Sequence, residues 1–145
     1  MDYDSYREAF FVQPPPEPRY KYNGMFGITL LMEEYESALS FYSSVLDPAA
    51  YVEGDSTRGW IIGDFWLTLL PASSGNPQNS EIAASPNGEP VLAMDSFEKA
   101  RRLHEAFMDA GGEGEEPADE LMYEPARLYP ASDPFGTNIL IVARL

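Results

Sequence analysis

The sequence contains no cysteine, one histidine and only 9 lysine and arginine residues, against 24 aspartate and glutamate residues in 145. The lack of cysteine excludes disulfides, thiolate zinc sites and cysteine nucleophiles. The formal net charge is −15, so we expect no binding to nucleic acids or anionic membranes, whose negative charge repels such a surface. No apolar run approaches the roughly 18 residues of a membrane-spanning helix, which predicts that the chain does not cross a membrane.

Several motifs are absent as well. No glycine-rich phosphate-binding motif and no Gly-x-Ser-x-Gly hydrolase motif occurs. The amino terminus, Met1-Asp2-Tyr3-Asp4, is acidic where a signal peptide begins with basic residues, so we expect a cytoplasmic protein. The acidity has two interpretations, which are solubility or a saline habitat on the one hand and steering of a cationic ligand on the other.

The chain is long enough, and at 44% hydrophobic residues apolar enough, to fold as one domain with its own core. The segment Pro14-Pro15-Pro16-Glu17-Pro18 favours an extended polyproline conformation. We therefore predict an N-terminal arm over residues 1–22 and a folded domain over residues 23–145. The arm is either a docking element or a tail.

The domain contains an internal repeat. When the sequence is aligned with itself so that Met32 matches Met94, Tyr35 matches Phe97 and Ala38 matches Ala100. Each copy reads as a strand, a few polar residues and an amphipathic helix. We predict an α+β fold of two βαβββ modules, over about 24–71 and 89–143, joined by a loop over 72–88. Their curved mixed sheets would enclose a cleft, with the helices on the convex side.

Two segments carry a family resemblance. Residues 27–46 include the pair Phe41-Tyr42 followed by Val45-Leu46, and near the end Arg127 precedes the turn Asp133-Pro134-Phe135-Gly136 and a last strand. Together they resemble the vicinal oxygen chelate superfamily, which includes glyoxalases, extradiol dioxygenases and bleomycin-resistance proteins. The resemblance covers about residues 24–143 and implies the two-module fold with a central cleft.

Metal-dependent members of that superfamily hold their ion at four positions, which the resemblance places at Gly27, Thr68, Glu89 and Leu140. Glycine and leucine side chains cannot ligate a metal and threonine does so poorly, whereas a first-row metal requires histidine, carboxylate or thiolate ligands. We therefore expect no metal and no cofactor. The single histidine, His104, lies on the second predicted helix, where we expect a surface or packing role.

Other candidate residues each have two interpretations. Trp60 and Trp66 either stack on a ligand or pack in the core. Glu89 is either a general base with a raised pKa or an exposed carboxylate at a loop end. Arg127 either clamps an anion or pairs with one of the many carboxylates. The acidic run from Glu113 to Glu124 is either a solvated loop or a mouth that attracts a cation.

Our leading hypothesis is a metal-independent small-molecule binding protein, similar to bleomycin-resistance proteins, that sequesters a cationic or aromatic ligand. The resemblance also implies a homodimer. One alternative is a metal-free isomerase or lyase with Glu89 as general base, so the question of catalysis stays open. Another is a non-catalytic interaction module that docks through the arm or through loop 71–88. The candidate ligand-binding residues are Thr29, Trp60, Trp66, Thr68, Glu89, Arg127, Tyr129 and Leu140.

Overall fold

The helices and strands follow the strand–helix repeat of the sequence. The computed structural model describes residues 1–19, 26–72 and 88–145, so most of loop 72–88 lies outside the described residues. The helices are α1 (Tyr3–Phe10), α2 (Tyr35–Val45) and α3 (Phe97–Asp109). The strands are β1 (Phe26–Met32), β2 (Tyr51–Glu53), β3 (Thr57–Ile62), β4 (Phe65–Pro71), β5 (Val91–Met94), β6 (Glu113–Gly114), β7 (Ala118–Met122), β8 (Glu124–Ser132) and β9 (Asn138–Arg144).

The two sheets share one topology. The first has the order β1-β4-β3-β2, with β1 parallel to β4 and the other pairs antiparallel. The second has the order β5-β9-β8-β6, with β7 also paired to β8 and with β5 parallel to β9. Met32 and Met94 end equivalent strands, and Tyr35 and Phe97 begin equivalent helices. The predicted fold of two modules around mixed sheets is confirmed.

Helices α2 and α3 form where apolar residues recur at helical spacing, and each buries that face on its own sheet. The Ser96 side chain caps α3 by accepting a hydrogen bond from the Lys99 amide at 3.1 Å. The helix ends before Gly111, whose φ of +101° lies in the left-handed region that favours glycine. On the second sheet Ile139 and Ile141 are fully buried beneath α3.

The core lies where the two helices meet. The Phe41 ring of α2 contacts the Phe107 ring of α3 edge-on, with centroids 5.5 Å apart. Leu30 and Leu69 face α2 from the first sheet and are buried. Because successive strand residues point to opposite faces, every second side chain lies on the face of the sheet away from its helix. We call this face the open side of each sheet.

The acidic run of the second module is not a solvated loop throughout, because it contains strands β6 and β7, which pair with β8. Asp119 and Glu120 are exposed to solvent. Charged side chains are common on an edge strand such as β7. Helix α1 of the arm contains no buried residue and is tied to the β7–β8 turn, where the Tyr3 hydroxyl donates to the Tyr123 carbonyl at 3.3 Å. No helix among residues 1–19, 26–72 and 88–145 is long and apolar enough to span a bilayer.

One buried hydrogen bond connects the two modules. The Tyr42 hydroxyl of α2 donates to Asp133 Oδ2 at 2.5 Å, in the turn between β8 and β9. Asp133 Oδ1 accepts the Phe135 and Thr137 amides at 2.8 and 2.9 Å, which fixes the turn. Burial, followed by the adjacent Asp133 carboxylate, raises the pKa of Tyr42 well above its ordinary value of 10.0.

We predict that Tyr42→Phe destabilises the protein by about 1.5–3 kcal/mol, because the buried Asp133 carboxylate loses a charge-assisted hydrogen bond. The free energy of unfolding, from urea denaturation at pH 7, measures the loss. The control is Tyr35→Phe in the same helix. The Tyr35 hydroxyl is the only fully buried side-chain oxygen or nitrogen without a partner among the residues that the structure describes, so its removal should change stability by less than about 0.5 kcal/mol. Equal losses in both variants would contradict the connecting role of Tyr42.

Candidate functional site

A cleft of about 420 Å³ opens between the edge of the first sheet and the start of the second. Its walls come from β1 and β4 in the first module and from the chain entering β5 in the second. The edge strands β1 and β5 are not paired with each other, which leaves room between them. We call this space the seam cleft, and it is lined by Gly27, Ile28, Ile62, Phe65, Trp66, Leu67 and residues 88–92.

Trp66 lies on the open side of β4 and is one of the two aromatic residues, with Phe65, that line the seam cleft. Its ring packs over Gly59, where a Cβ atom would lie 3.4 Å from Trp66 Cε3. The Tyr51 ring meets it edge-on, with centroids 6.3 Å apart. Two neighbours therefore hold the indole. The sequence analysis missed Tyr51, because its position beside Trp66 depends on strand pairings that no local pattern encodes.

Gly27 lines the seam cleft and has no side chain to occupy it. It pairs with Trp66 in the parallel β1–β4 ladder, and a Cβ atom built there would lie 3.0 Å from the Trp66 carbonyl oxygen. Most side chains at this position would crowd the cleft beside the indole.

Glu89 is the only ionisable residue that lines the seam cleft within the described part of the chain. It precedes β5 and is exposed. By strand alternation it shares the open side with Val91. The cleft thus combines an aromatic face, aliphatic walls and a single carboxylate in contact with water. Such a set can pack a flat or apolar body and attract one positive charge.

Thr29, Thr68 and Leu140 lie on the open sides of their sheets, as predicted, but none of them lines the seam cleft. Thr29 pairs directly with Thr68 in the β1–β4 ladder, which makes their side chains neighbours. Leu140 pairs with Val91 in the β5–β9 ladder. These three residues belong to the wider open surface that flanks the cleft.

The prediction that Trp60 lines the cleft is wrong. Trp60 pairs with the buried Leu67 across β3 and β4, which puts it on the side that faces α2. The residue is 2% exposed, and its Nε1 donates to the Asp47 carbonyl at 2.6 Å. Its ring also packs near the Tyr42 ring, with centroids 6.3 Å apart. Trp60 is therefore a core residue that anchors the end of α2.

Arg127 and Tyr129 share one strand face as predicted, but it is the face that packs against α3, because Tyr129 pairs with the buried Ile141. Arg127 donates two hydrogen bonds to Asp119, at 2.6 and 3.0 Å. Its guanidinium also lies 4.6 Å from the centroid of the Phe97 ring. The hydrogen bonds between the two side chains lower the pKa of Asp119 and raise that of Arg127. Neither Arg127 nor Tyr129 reaches the seam cleft.

The residues at the four superfamily metal positions do not fit a first-row metal. Gly27 and Leu140 offer no donor atom, and Glu89 is the only carboxylate of the four. Over residues 1–19, 26–72 and 88–145, no group of 3 or more histidine, aspartate or glutamate side chains is arranged to hold a metal ion. His104 is buried in the interface between α3 and its sheet, as expected of a packing residue.

No protein-family model matches the sequence, and no curated protein matches it. Solved structures do match. A glyoxalase/bleomycin resistance protein/dioxygenase family enzyme from Burkholderia phytofirmans PsJN is 14% identical with a TM-score of 0.66, over 82% of this chain and 97% of that chain. A glyoxalase/bleomycin resistance protein from Albidiferax ferrireducens T118 is 18% identical with a TM-score of 0.59, over 84% and 98% of the two chains. A lactoylglutathione lyase from Agrobacterium tumefaciens is 13% identical with a TM-score of 0.63, over 88% and 95%.

These matches show that the chain has the glyoxalase/bleomycin resistance/dioxygenase fold, which is the fold that the vicinal oxygen chelate resemblance implies. The fold expected from the sequence is confirmed. At such low identity the likeness extends to the fold alone, and one fold hosts many functions. What this chain binds must therefore be argued from its own residues.

We predict that the two tryptophans differ in their access to solvent. In Trp60→Phe, acrylamide should quench the remaining Trp66 fluorescence efficiently, because Trp66 lines an open cleft. In Trp66→Phe, the remaining Trp60 should be quenched several-fold less, because it is buried. Stern–Volmer constants of both variants provide the measurement, with far-ultraviolet circular dichroism to check folding. Similar constants would contradict the placement of the two indoles.

Proposed function

We propose that this protein binds a small organic cation with a flat or apolar body in the seam cleft, without a metal ion. The observation that carries the proposal is that Trp66 and Glu89 both line a cleft whose other lining residues are apolar. A volume of about 420 Å³ suits a small molecule. Stacking on the indole and attraction to the carboxylate act on different parts of one ligand, so together they select an aromatic or apolar cation.

The charge distribution supports a cationic ligand. Five basic side chains of the described domain, Lys99, Arg101, Arg102, Arg127 and Arg144, are each paired with a carboxylate. Arg58 donates instead to the carbonyls of Gly54 and Thr57. The unpaired acids therefore dominate the field around the domain, and such a field raises the association rate of cations.

The two alternatives from the sequence have less support. Catalysis by Glu89 as general base needs a desolvated carboxylate with a raised pKa, whereas Glu89 is exposed to solvent. An interaction module would be favoured by a cleft filled with the protein's own side chains, whereas the seam cleft is open. Sequestration of a ligand therefore remains the better proposal.

Calorimetric titration with aromatic cations, cationic glycopeptides and neutral aromatic analogues tests the proposal. We expect Trp66→Ala to weaken binding of an aromatic cation by about tenfold, because the variant loses one stacking contact with the ligand. Glu89→Gln should weaken the cation by about fivefold and leave the neutral analogue unchanged, because it removes only charge. Glu36→Gln, an equal charge change on the exposed face of α2, is the control. Absence of heat with every ligand, or equal losses for Glu89→Gln and Glu36→Gln, would contradict the proposal.

We also propose that the chain forms a homodimer through the open sides of its sheets. Tyr51, Ile61 and Val91 are large apolar residues of the open sides, and they are 45, 57 and 49% exposed. Large apolar side chains exposed on the uncovered faces of sheets are typical of an interaction site.

We predict that sedimentation velocity shows a dimer for the wild type and a shift toward monomer for Ile61→Asp, which puts a charge into the apolar surface. Val52→Asp is the matched control, because Val52 is 62% exposed on the opposite face of the same sheet. It should leave the dimer intact. A monomeric wild type, or equal dissociation in both variants, would overturn the proposed dimer.

A further inference from the structure

The open side of the first sheet carries an aromatic contact that extends from the edge strand β2 to the seam cleft. Gly59 of β3 pairs with Tyr51 of β2. It also pairs with Thr68 of β4, two residues beyond Trp66, so the Trp66 ring reaches Gly59 diagonally. A Cβ atom on Gly59 would lie 3.3 Å from Tyr51 Cβ and 3.4 Å from Trp66 Cε3. Both side chains therefore pack over the space that the glycine leaves.

Tyr51 is itself held by a charged neighbour. Its hydroxyl donates to Glu53 Oε2 at 2.7 Å, and the two residues share one face of β2 because they are two positions apart. This hydrogen bond, followed by the charge of Glu53, raises the pKa of Tyr51 above its ordinary value of 10.0. A hydrogen bond to a carboxylate is stronger than one between neutral groups. The bond to Glu53 therefore restricts the rotamers of Tyr51.

The position of Tyr51 makes this restriction matter. Strand β2 has three residues, all exposed, and lies at the edge of the sheet. An exposed side chain at such a place ordinarily changes rotamer within picoseconds to nanoseconds. The Tyr51 and Trp66 rings meet at an interplanar angle of 82°, with centroids 6.3 Å apart, which is a preferred edge-to-face arrangement. A fixed phenol ring therefore also limits the motion of the indole.

We propose that Tyr51 and Glu53 are positioning residues of the seam cleft: Glu53 orients Tyr51, and Tyr51 orients the Trp66 indole for stacking on a flat ligand. The described residues that line the cleft include neither of the two, so each acts through Trp66. This inference rests on the proposed ligand binding. An indole that is ordered before the ligand arrives loses less conformational entropy on binding. The arrangement therefore favours flat aromatic cations over non-aromatic cations of equal charge.

The first test needs no ligand. In Trp60→Phe, Trp66 is the only tryptophan, and time-resolved fluorescence anisotropy measures the subnanosecond motion of its indole. We expect Tyr51→Phe and Glu53→Gln, each added to Trp60→Phe, to raise the amplitude of this motion about twofold, because the indole loses its restraint. Glu36→Gln, on the exposed face of α2, is the charge-matched control and should leave the motion unchanged. All variants are compared at a concentration where sedimentation velocity gives them the same oligomeric state. Unchanged motion in Tyr51→Phe and Glu53→Gln would overturn the proposal.

A double-mutant cycle tests the order of the contacts. Because Glu53 is proposed to act only through Tyr51, the double variant Tyr51→Phe/Glu53→Gln should free the indole no more than either single variant does. Tyr51→Leu removes the ring itself and should have a larger effect than Tyr51→Phe. Additive effects of the two single substitutions would show that Glu53 does not act through Tyr51.

The second test is calorimetric titration with 1-methylquinolinium, a flat aromatic cation, and with tetraethylammonium, which has the same charge and no flat ring. Relative to the wild type, Tyr51→Phe should weaken binding of 1-methylquinolinium about threefold, because the indole must then be ordered during binding, and should change that of tetraethylammonium less than about 1.5-fold. Equal weakening of both ligands would contradict the proposed selectivity. If neither ligand binds, the proposed function fails, and the anisotropy of Trp66 still decides whether Tyr51 and Glu53 position the indole.

Discussion

In the described part of the chain, each sheet can bury only one of its faces, because each module supplies a single helix, α2 or α3, to cover it. This constraint decides the environment of every strand residue. Side chains that point toward the helix form the core, as Leu30 and Leu69 do in the first module and Ile139 and Ile141 do in the second. Among the described residues, neither α2 nor α3 covers the opposite faces. The seam cleft lies where the two unpaired edge strands β1 and β5 approach each other.

The charge pattern adds a second level of organisation. Most basic residues of the domain lie within hydrogen-bond reach of a carboxylate, and three of these pairs join neighbouring turns of α3 or the residue before it. Such exposed pairs contribute little to stability. They do neutralise most of the positively charged side chains of the domain. The surplus carboxylates then act at a distance. In the seam cleft, one of them stands beside an indole.

Local patterns in the sequence predict the structure best. The repeat, the two amphipathic helices and most strand positions follow from periodicity and turn residues, and the structure agrees with them. Prediction failed where strand parity matters. Trp60 and Trp66 lie on adjacent strands joined by a short turn, and that turn sets a pairing in which Ile62 faces Phe65 and Trp60 faces Leu67. The two indoles therefore point to opposite faces. The acidic residues of β7 have low strand propensity, so the sequence does not predict this strand. The strand forms because it pairs with β8 in the tertiary structure.

The amino-acid sequence by itself determined the α+β repeat, the negative surface and the substitution of the superfamily's metal positions, because each depends only on residue type and on spacing along the chain. Only the tertiary structure decided which candidates meet. It placed Trp66 and Glu89 on the lining of one cleft between the two modules, and it placed Arg127 and Tyr129 on the helix side of the second sheet. The physical reason is that strand register and the approach of the two modules arise from contacts between residues far apart in the chain, which short-range patterns do not encode.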